Sequence, residues 1–179
     1  MAHIVMVAAP QQFRDEELLL PRQAFEAAGH TVQTVSTQAV KGQGMLGHTE
    51  TFSATLNDVD LTQTDALVIV GGYGAVEYLW PNTALHALCQ QLFVKGQLVS
   101  ALCVSPVVLA KAGLLNGKRA TVWAMPETQA AFDEAGAIYT GDDVTVDGNL
   151  ITANGPDASV AFAEAVLTAL LPKMVSAKA

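Results

Sequence analysis

Positive charge, cysteine and long apolar segments are all scarce in this sequence of 179 residues. The 9 Lys and Arg residues against 17 Asp and Glu residues give a net charge of −8, so the chain lacks the basic face that nucleic acid or an anionic membrane requires. Its 2 cysteines are too few for a disulfide framework and suit a reducing compartment. No apolar run reaches membrane-spanning length, and residues 4–9 are too short for a signal sequence. We therefore expect a cytoplasmic protein without nucleic-acid or membrane partners.

The composition is that of a chain that buries a sizeable core. Hydrophobic residues make up 51% of the sequence and charged residues only 15%, which is typical of a globular protein and not of a disordered one. A length of 179 residues suits one domain. We place this domain at residues 1–172 and predict a frayed tail over residues 173–179.

Apolar segments of strand length alternate along the chain with segments of helical periodicity. This order predicts an α/β fold with a mostly parallel sheet. Residues 10–13 are predicted to break the first strand, Asp15 or a neighbour to cap the first helix, and residues 37–62 to form a short hairpin or edge strands. Predicted strands span residues 3–9, 31–36, 65–70, 99–102, 119–122, 137–139, 144–146 and 150–152, and predicted helices span 15–28, 75–80, 82–93, 126–134 and a last segment ending near 171.

Cys103 falls where a strand is predicted to give way to a helix, which Pro106 opens and Gly113 closes. A side chain at such a turn lies at the carboxyl end of the sheet, the usual ligand crevice of open α/β folds. The start of the helix also favours a thiolate over a thiol. Cys103 is either a reactive cysteine on a turn resembling a nucleophile elbow or a small buried hydrophobic residue, and its position favours the first interpretation.

Other groups suited to thiol chemistry occur elsewhere in the chain. Gly71 and Gly72 follow a predicted strand, and two glycines there let backbone N–H groups approach a bound carbonyl oxygen, as in an oxyanion hole. Glu17 lies beside leucines at the start of the first helix, and a carboxyl buried near a thiolate stays protonated. We interpret the preceding Asp15 and Glu16 as surface groups that stabilise the helix dipole.

Several segments together resemble the ThiJ/PfpI superfamily, in particular the branch of the parkinsonism-associated protein deglycase and its bacterial relatives. The resemblance extends over residues 4–170. It rests on residues 13–18 before Pro21, 65–72, Ala101-Leu102-Cys103, Pro106, 109–115 and 146–152.

This resemblance implies a flavodoxin-like three-layer sandwich that forms a homodimer and needs no cofactor. It assigns the reactive thiolate to Cys103, its hydrogen-bonded carboxyl to Glu17, and the oxyanion donors to the backbone of Gly72 and Val104. The family's activities include glyoxalase conversion of methylglyoxal to lactate, deglycase activity, redox sensing, chaperone-like holding and proteolysis. We expect an enzyme acting on a small aldehyde or dicarbonyl, in which thiolate attack gives a hemithioacetal and Glu17 moves a proton.

An alternative role remains open, because the same site suits a non-catalytic stress-response protein whose Cys103 is oxidised to a sulfinate. A peptidase or amidase is disfavoured, since Val104 stands where protease-like members carry histidine. No His, Cys, Asp or Glu residues have metal-ligand spacing, so no metal site is predicted.

Four further residues are candidates for the pocket, and the chain departs from the family pattern at or beside some of them. Val70 replaces the usual proline before the double glycine, and the deglycase branch usually has arginine at the position of Asn154. The segment around Trp123 also differs from the branch. The candidates are Tyr73, Ser105, Trp123 and Asn154.

Overall fold

The computed structural model describes residues 1–176, in which eleven strands and six helices alternate. The strands are β1 (His3–Val7), β2 (Gln11–Phe13), β3 (Thr31–Val35), β4 (Val40–Gly44), β5 (Thr49–Phe52), β6 (Ala66–Ile69), β7 (Leu98–Leu102), β8 (Arg119–Ala120), β9 (Ile138–Tyr139), β10 (Val144–Asp147) and β11 (Leu150–Ala153). The helices are α1 (Asp15–Ala27), α2 (Gly74–Tyr78), α3 (Thr83–Val94), α4 (Pro106–Lys111), α5 (Pro126–Ala135) and α6 (Ser159–Ser176).

A six-stranded sheet in the order β10-β11-β7-β6-β1-β3 forms the centre of the molecule. All its neighbouring strands are parallel except β10 and β11, which form a hairpin closed between Asp147 and Leu150. Helix α1 packs against α6 on one side of this sheet, while α4 packs against α3 and α5 on the other. The predicted α/β sandwich with helices on both faces is confirmed.

Strands β1, β6 and β7 lie in the interior of the sheet and carry its most apolar segments. Every residue of β6 and β7 is buried, because helices cover both faces and leave no solvated side. The carboxyl ends of these parallel strands meet at one edge of the sheet. Gly71 follows β6 and Cys103 follows β7, so this edge brings the predicted site residues together.

A second, three-stranded sheet, β2-β4-β5, was only partly predicted. The hairpin of β4 and β5 was expected within residues 37–62, but residues 10–13 were predicted as a break and instead form β2, parallel to β4. Phe13 is fully buried, and its ring packs edge-on against Phe52 of β5. A strand of three residues is too short to show a periodicity, so only this long-range contact reveals it.

Two other boundaries differ from the prediction. The strand expected over residues 119–122 is reduced to Arg119–Ala120 and pairs with β9 outside the main sheet. Helix α6 extends to Ser176, past its predicted end near Leu171, because a proline inside a helix removes one hydrogen bond without always ending it. Residues 177–179 of the predicted frayed tail lie outside the described residues. Among residues 1–176, no helix combines the length and the hydropathy that crossing a membrane requires.

Candidate active site

Cys103 occupies the turn between β7 and α4 in a backbone conformation that is rare outside glycine. Its φ is 60°, in the left-handed region. The N–H of Cys103 donates to the carbonyl of Ala153 at 2.9 Å, and its own carbonyl accepts the N–H of Trp123 at 2.7 Å. Strained residues held by such contacts are typical of functional sites. Cys103 is 8% exposed, whereas Cys89, the other cysteine, is fully buried in α3.

Ser105, predicted to line the pocket, points away from it. Its hydroxyl is fully buried and donates to the carbonyl of Val70 at 2.8 Å. This bond joins the turn after β7 to the end of β6, the neighbouring strand. Ser105 therefore holds the cysteine turn against the sheet, and its predicted pocket role is wrong.

Glu17 reaches the cysteine turn from the first turn of α1 and is fully buried. Its Oε2 accepts the N–H of Gly71 at 2.8 Å, while its Oε1 has no hydrogen-bond partner among the described residues. A Cβ at Gly71 would lie 2.5 Å from the Cβ of Cys103 and 2.6 Å from Oε2 of Glu17, so only glycine lets the two side chains approach. Gly71 was predicted to be an oxyanion donor, but its N–H already donates to Glu17 and is not free for that role.

The carboxyl of Glu17 and the thiol of Cys103 form a coupled acid–thiol pair. Burial raises the pKa of Glu17 to about 7, against the opposing effect of the N–H of Gly71. Burial and the charge of ionised Glu17 raise the pKa of Cys103 to about 12, while the N–H groups of Gly72 and Val104 lower it. A single proton is therefore shared by the pair above about pH 7. A thiolate forms when Glu17 holds this proton, since its negative charge is then absent.

The backbone N–H groups of Gly72 and Val104, the residues predicted as oxyanion donors, lower the pKa of the Cys103 thiol. Gly72 has a φ of 100°, and a Cβ there would lie 2.4 Å from the carbonyl oxygen of Gln12. The position therefore needs glycine both for its conformation and for the close approach of β2. Both residues line the cavity above Cys103, where their N–H groups are suited to stabilise negative charge on sulfur or oxygen.

The cavity above Cys103 has a volume of about 300 Å³. Tyr73 and Trp123, both predicted pocket residues, line it and are 72% and 50% exposed. Asn154 lies instead in a neighbouring cavity of about 310 Å³, of which Trp123 forms a shared wall. There its amide donates to Asp143 at 3.0 Å, so its predicted place in the cysteine cavity is wrong.

Comparison with known proteins agrees with this fold. Residues 2–169 match the model of the DJ-1/PfpI family. The chain belongs to this family. It is 48% identical over 169 residues to an uncharacterized protein of Methanocaldococcus jannaschii, covering 94% of this chain and 82% of that one. It is 32% identical over 155 residues to a protein named a deglycase in Thermococcus kodakarensis, covering 85% and 90%. The crystal structure of a ThiJ/PfpI domain protein from Brachyspira murdochii superimposes with a TM-score of 0.90 at 30% identity, covering 95% and 96%.

The first turn of α1 also contributes to this DJ-1/PfpI site in ways that the sequence analysis missed. Asp15, predicted as a surface group or a cap, is buried and accepts the N–H groups of Leu46 and His48 at 2.9 and 2.8 Å. It thereby holds the β4–β5 loop, whose Met45 lines the cavity. The prediction failed because α1 and this loop are distant in sequence. The close approach of Gly44 to the Asp15 carboxylate is visible only in the fold.

Arg14 also lines the cavity and was not predicted to do so. Its guanidinium forms two hydrogen bonds with Glu16, at 2.8 and 3.0 Å, and Glu16 remains partly exposed. The sequence contained no local signal for Arg14, since it precedes an ordinary acidic helix start. Within residues 1–176, no group of three or more His, Cys, Asp or Glu side chains is placed to hold a metal ion.

Proposed function

We propose that this DJ-1/PfpI protein is a cofactor-free, cysteine-dependent enzyme that acts on small reactive aldehydes or dicarbonyls, as a glyoxalase or deglycase. One observation carries the proposal: Cys103 lines a cavity together with Gly72 and Val104, whose backbone N–H groups lower the pKa of its thiol, and the buried carboxyl of Glu17 meets the same turn at Gly71. The relatives named deglycases support carbonyl chemistry of this kind.

In the proposed reaction with methylglyoxal, the Cys103 thiolate attacks the aldehyde carbon and forms a C–S bond. The carbonyl π electrons move to oxygen, where the N–H groups of Gly72 and Val104 are suited to donate hydrogen bonds that stabilise the negative charge. Glu17 gives its proton to this oxygen, which completes a hemithioacetal.

Glu17 is then a carboxylate, and it takes the proton from the former aldehyde carbon and returns it to the neighbouring carbon. In the same isomerisation the hydroxyl proton of the hemithioacetal moves to the oxygen of that neighbouring carbon, which becomes the alcohol, while the former aldehyde carbon becomes the thioester carbonyl. The isomerised product is a lactoyl thioester on Cys103. Water hydrolyses this ester to lactate and restores the thiol, so no oxidant or reductant is consumed. Burial suits Glu17 to this task, because a pKa of about 7 allows the carboxyl both to give and to take a proton near neutral pH.

The test is lactate formation from methylglyoxal by the wild type, Cys103→Ser and Glu17→Gln, with buffer alone as the background. Cys89→Ser is the matched control, since Cys89 is buried in α3 and does not line the cavity. We expect turnover by the wild type and Cys89→Ser, and loss of turnover in the other two variants. A wild-type rate equal to the buffer rate would contradict the proposal for this substrate.

A redox sensor is the second candidate, supported by the difference in access between the cysteines. Cys103 is 8% exposed and Cys89 is 0% exposed, so peroxide should convert only Cys103 to a sulfinate, detectable by mass spectrometry. Sulfinate formation without turnover would favour this role. A peptidase or amidase remains disfavoured, because Val104 follows Cys103 and none of the described cavity residues is a histidine. The homodimer, any chaperone-like role and the cytoplasmic location remain predictions.

A further inference from the structure

Arg14 lies beside the double glycine and lines the cysteine cavity. Its backbone N–H donates to the carbonyl of Gly71 at 3.0 Å, and a Cβ on Gly72 would lie 2.5 Å from its backbone nitrogen. The cavity also contains the large side chains of Met45 and Trp123. A cation is thus built into the wall of a largely apolar cavity, close to the cysteine.

The guanidinium of Arg14 is held in one orientation, with some of its donors unused. Nε donates to Oε2 of Glu16 at 2.8 Å and Nη2 donates to Oε1 at 3.0 Å, which is a bidentate pair. The side chain is 27% exposed, so this pair is partly shielded from water. In the described residues, Nη1 has no hydrogen bond. A guanidinium has five N–H groups, so those that do not face Glu16 remain available to an anion.

The charge of Arg14 also acts on the reacting groups. The hydrogen bond with Glu16 raises the pKa of Arg14, burial lowers it, and the charges of Glu17 and Cys103 raise it further. Asp157, on the turn before α6, is the other charged side chain that lines the cavity, and it is exposed. The cavity wall that contains Cys103 is therefore polarised, with its cation anchored by Glu16.

We propose that Arg14 binds a carboxylate on the compound that reacts with Cys103, so that the preferred substrates are small aldehydes or α-oxoaldehydes that carry a carboxylate. Glu16 is a positioning residue that holds the guanidinium. The substrate class rests on the proposed carbonyl chemistry. The anion site itself does not rest on that chemistry, because testing it requires only that Cys103 can be alkylated.

The test compares two alkylating reagents that differ only in charge, iodoacetate and iodoacetamide. Both react with the same thiolate. The rate constant for iodoacetate divided by that for iodoacetamide is therefore independent of the thiolate fraction and reports only anion recognition. In Arg14→Met, which keeps the aliphatic stem, we expect this ratio to fall about tenfold, the size of one charge-assisted hydrogen bond. Arg14→Lys, which keeps the charge, should restore part of the ratio.

Two variants serve as controls. Lys111→Met removes the same charge from the exposed end of α4 and should leave the ratio unchanged. Asp157→Asn removes the opposing charge from the cavity wall and should raise the ratio. Equal ratios in Arg14→Met and Lys111→Met would overturn the proposal. So would an Arg14→Met variant that slows both reagents equally, because Arg14 would then support the thiolate and not an incoming anion.

A second measurement addresses the substrate class. Glyoxylate carries a carboxylate next to its aldehyde, and glyoxal is its uncharged counterpart. We expect glyoxylate to protect Cys103 from iodoacetamide at lower concentration than glyoxal in the wild type, and this preference to disappear in Arg14→Met. Equal protection in the wild type would overturn the carboxylate preference. Neither assay needs turnover, so a failure of the proposed enzymatic function would show separately, as absent lactate formation with the alkylation ratio intact.

Discussion

Replacing Glu17 by Gln should change the pH dependence of folding in a defined direction. Burial raises the pKa of Glu17 from an ordinary value of 4.5 to about 7. Between these pH values Glu17 binds more protons in the folded state than in the unfolded state, so its contribution to stability is complete below about pH 4.5 and is lost as pH rises through 7. A shift of this size corresponds to a loss of about 3 kcal/mol in the free energy of unfolding. Gln cannot titrate, so the variant should lack this loss.

The assay is urea denaturation of the wild type and Glu17→Gln at a series of pH values from about 4.5 to 8, with the free energy of unfolding extrapolated to water. The difference between the two proteins isolates Glu17, because all other titrating groups are shared. Across this range the wild type should lose about 3 kcal/mol in free energy of unfolding relative to Glu17→Gln. Cys103→Ala should retain the wild-type slope, since burial and not the thiol is the main cause. A constant difference would refute the reasoning, because the folded pair would then hold no additional proton.

Three further changes test the contacts around the cysteine. Ser105→Ala should lower the free energy of unfolding by about 1–3 kcal/mol in urea denaturation, because the carbonyl of Val70 is left buried without its donor. Gly71→Ala should slow iodoacetamide alkylation of Cys103, since the new Cβ would lie 2.5 Å from that residue's Cβ and must displace the turn. Asp15→Asn should raise KM more than it lowers kcat in the lactate assay, because a weakened acceptor loosens the loop that forms one cavity wall.

Matched variants separate these local effects from a general loss of stability. Ser100→Ala removes an equally buried hydroxyl that donates to the carbonyl of Leu67 at 2.7 Å, so it should cost similar stability but leave alkylation unchanged. Gly113→Ala introduces a side chain at a φ of 75° with no atom within 4 Å, and should likewise leave the cysteine unaffected. Ser105→Ala, by contrast, should also slow alkylation, because its hydroxyl holds the cysteine turn against the sheet. If Ser100→Ala and Ser105→Ala slowed alkylation equally, this role of the Ser105 hydroxyl would be wrong. An unchanged KM in Asp15→Asn would exclude the effect of the loop.

How much of this site can be predicted depends on how local its signals are. The position of Cys103 was predictable because a buried strand, a turn and a helix follow one another within a few residues. The direction of the Gly71 N–H was not, since it depends on a carboxyl 54 positions away. Arg14 and Asp15 were missed for the same reason. Their neighbours in space belong to a double glycine and a hairpin that sequence spacing alone cannot place against α1.

The three consecutive acidic residues at the start of α1 show how a helix directs similar side chains into different surroundings. Successive residues of an α-helix point in directions about 100° apart, so neighbouring carboxylates leave the axis toward different surroundings. Asp15 reaches the hairpin loop, Glu16 the guanidinium of Arg14, and Glu17 the buried edge of the sheet. The surroundings of each carboxyl are therefore set by its position along the helix. Inserting or deleting one residue before Asp15 would keep the composition of this turn, yet it would rotate each acid toward a neighbour's place and leave the wrong carboxyl beside the sulfur.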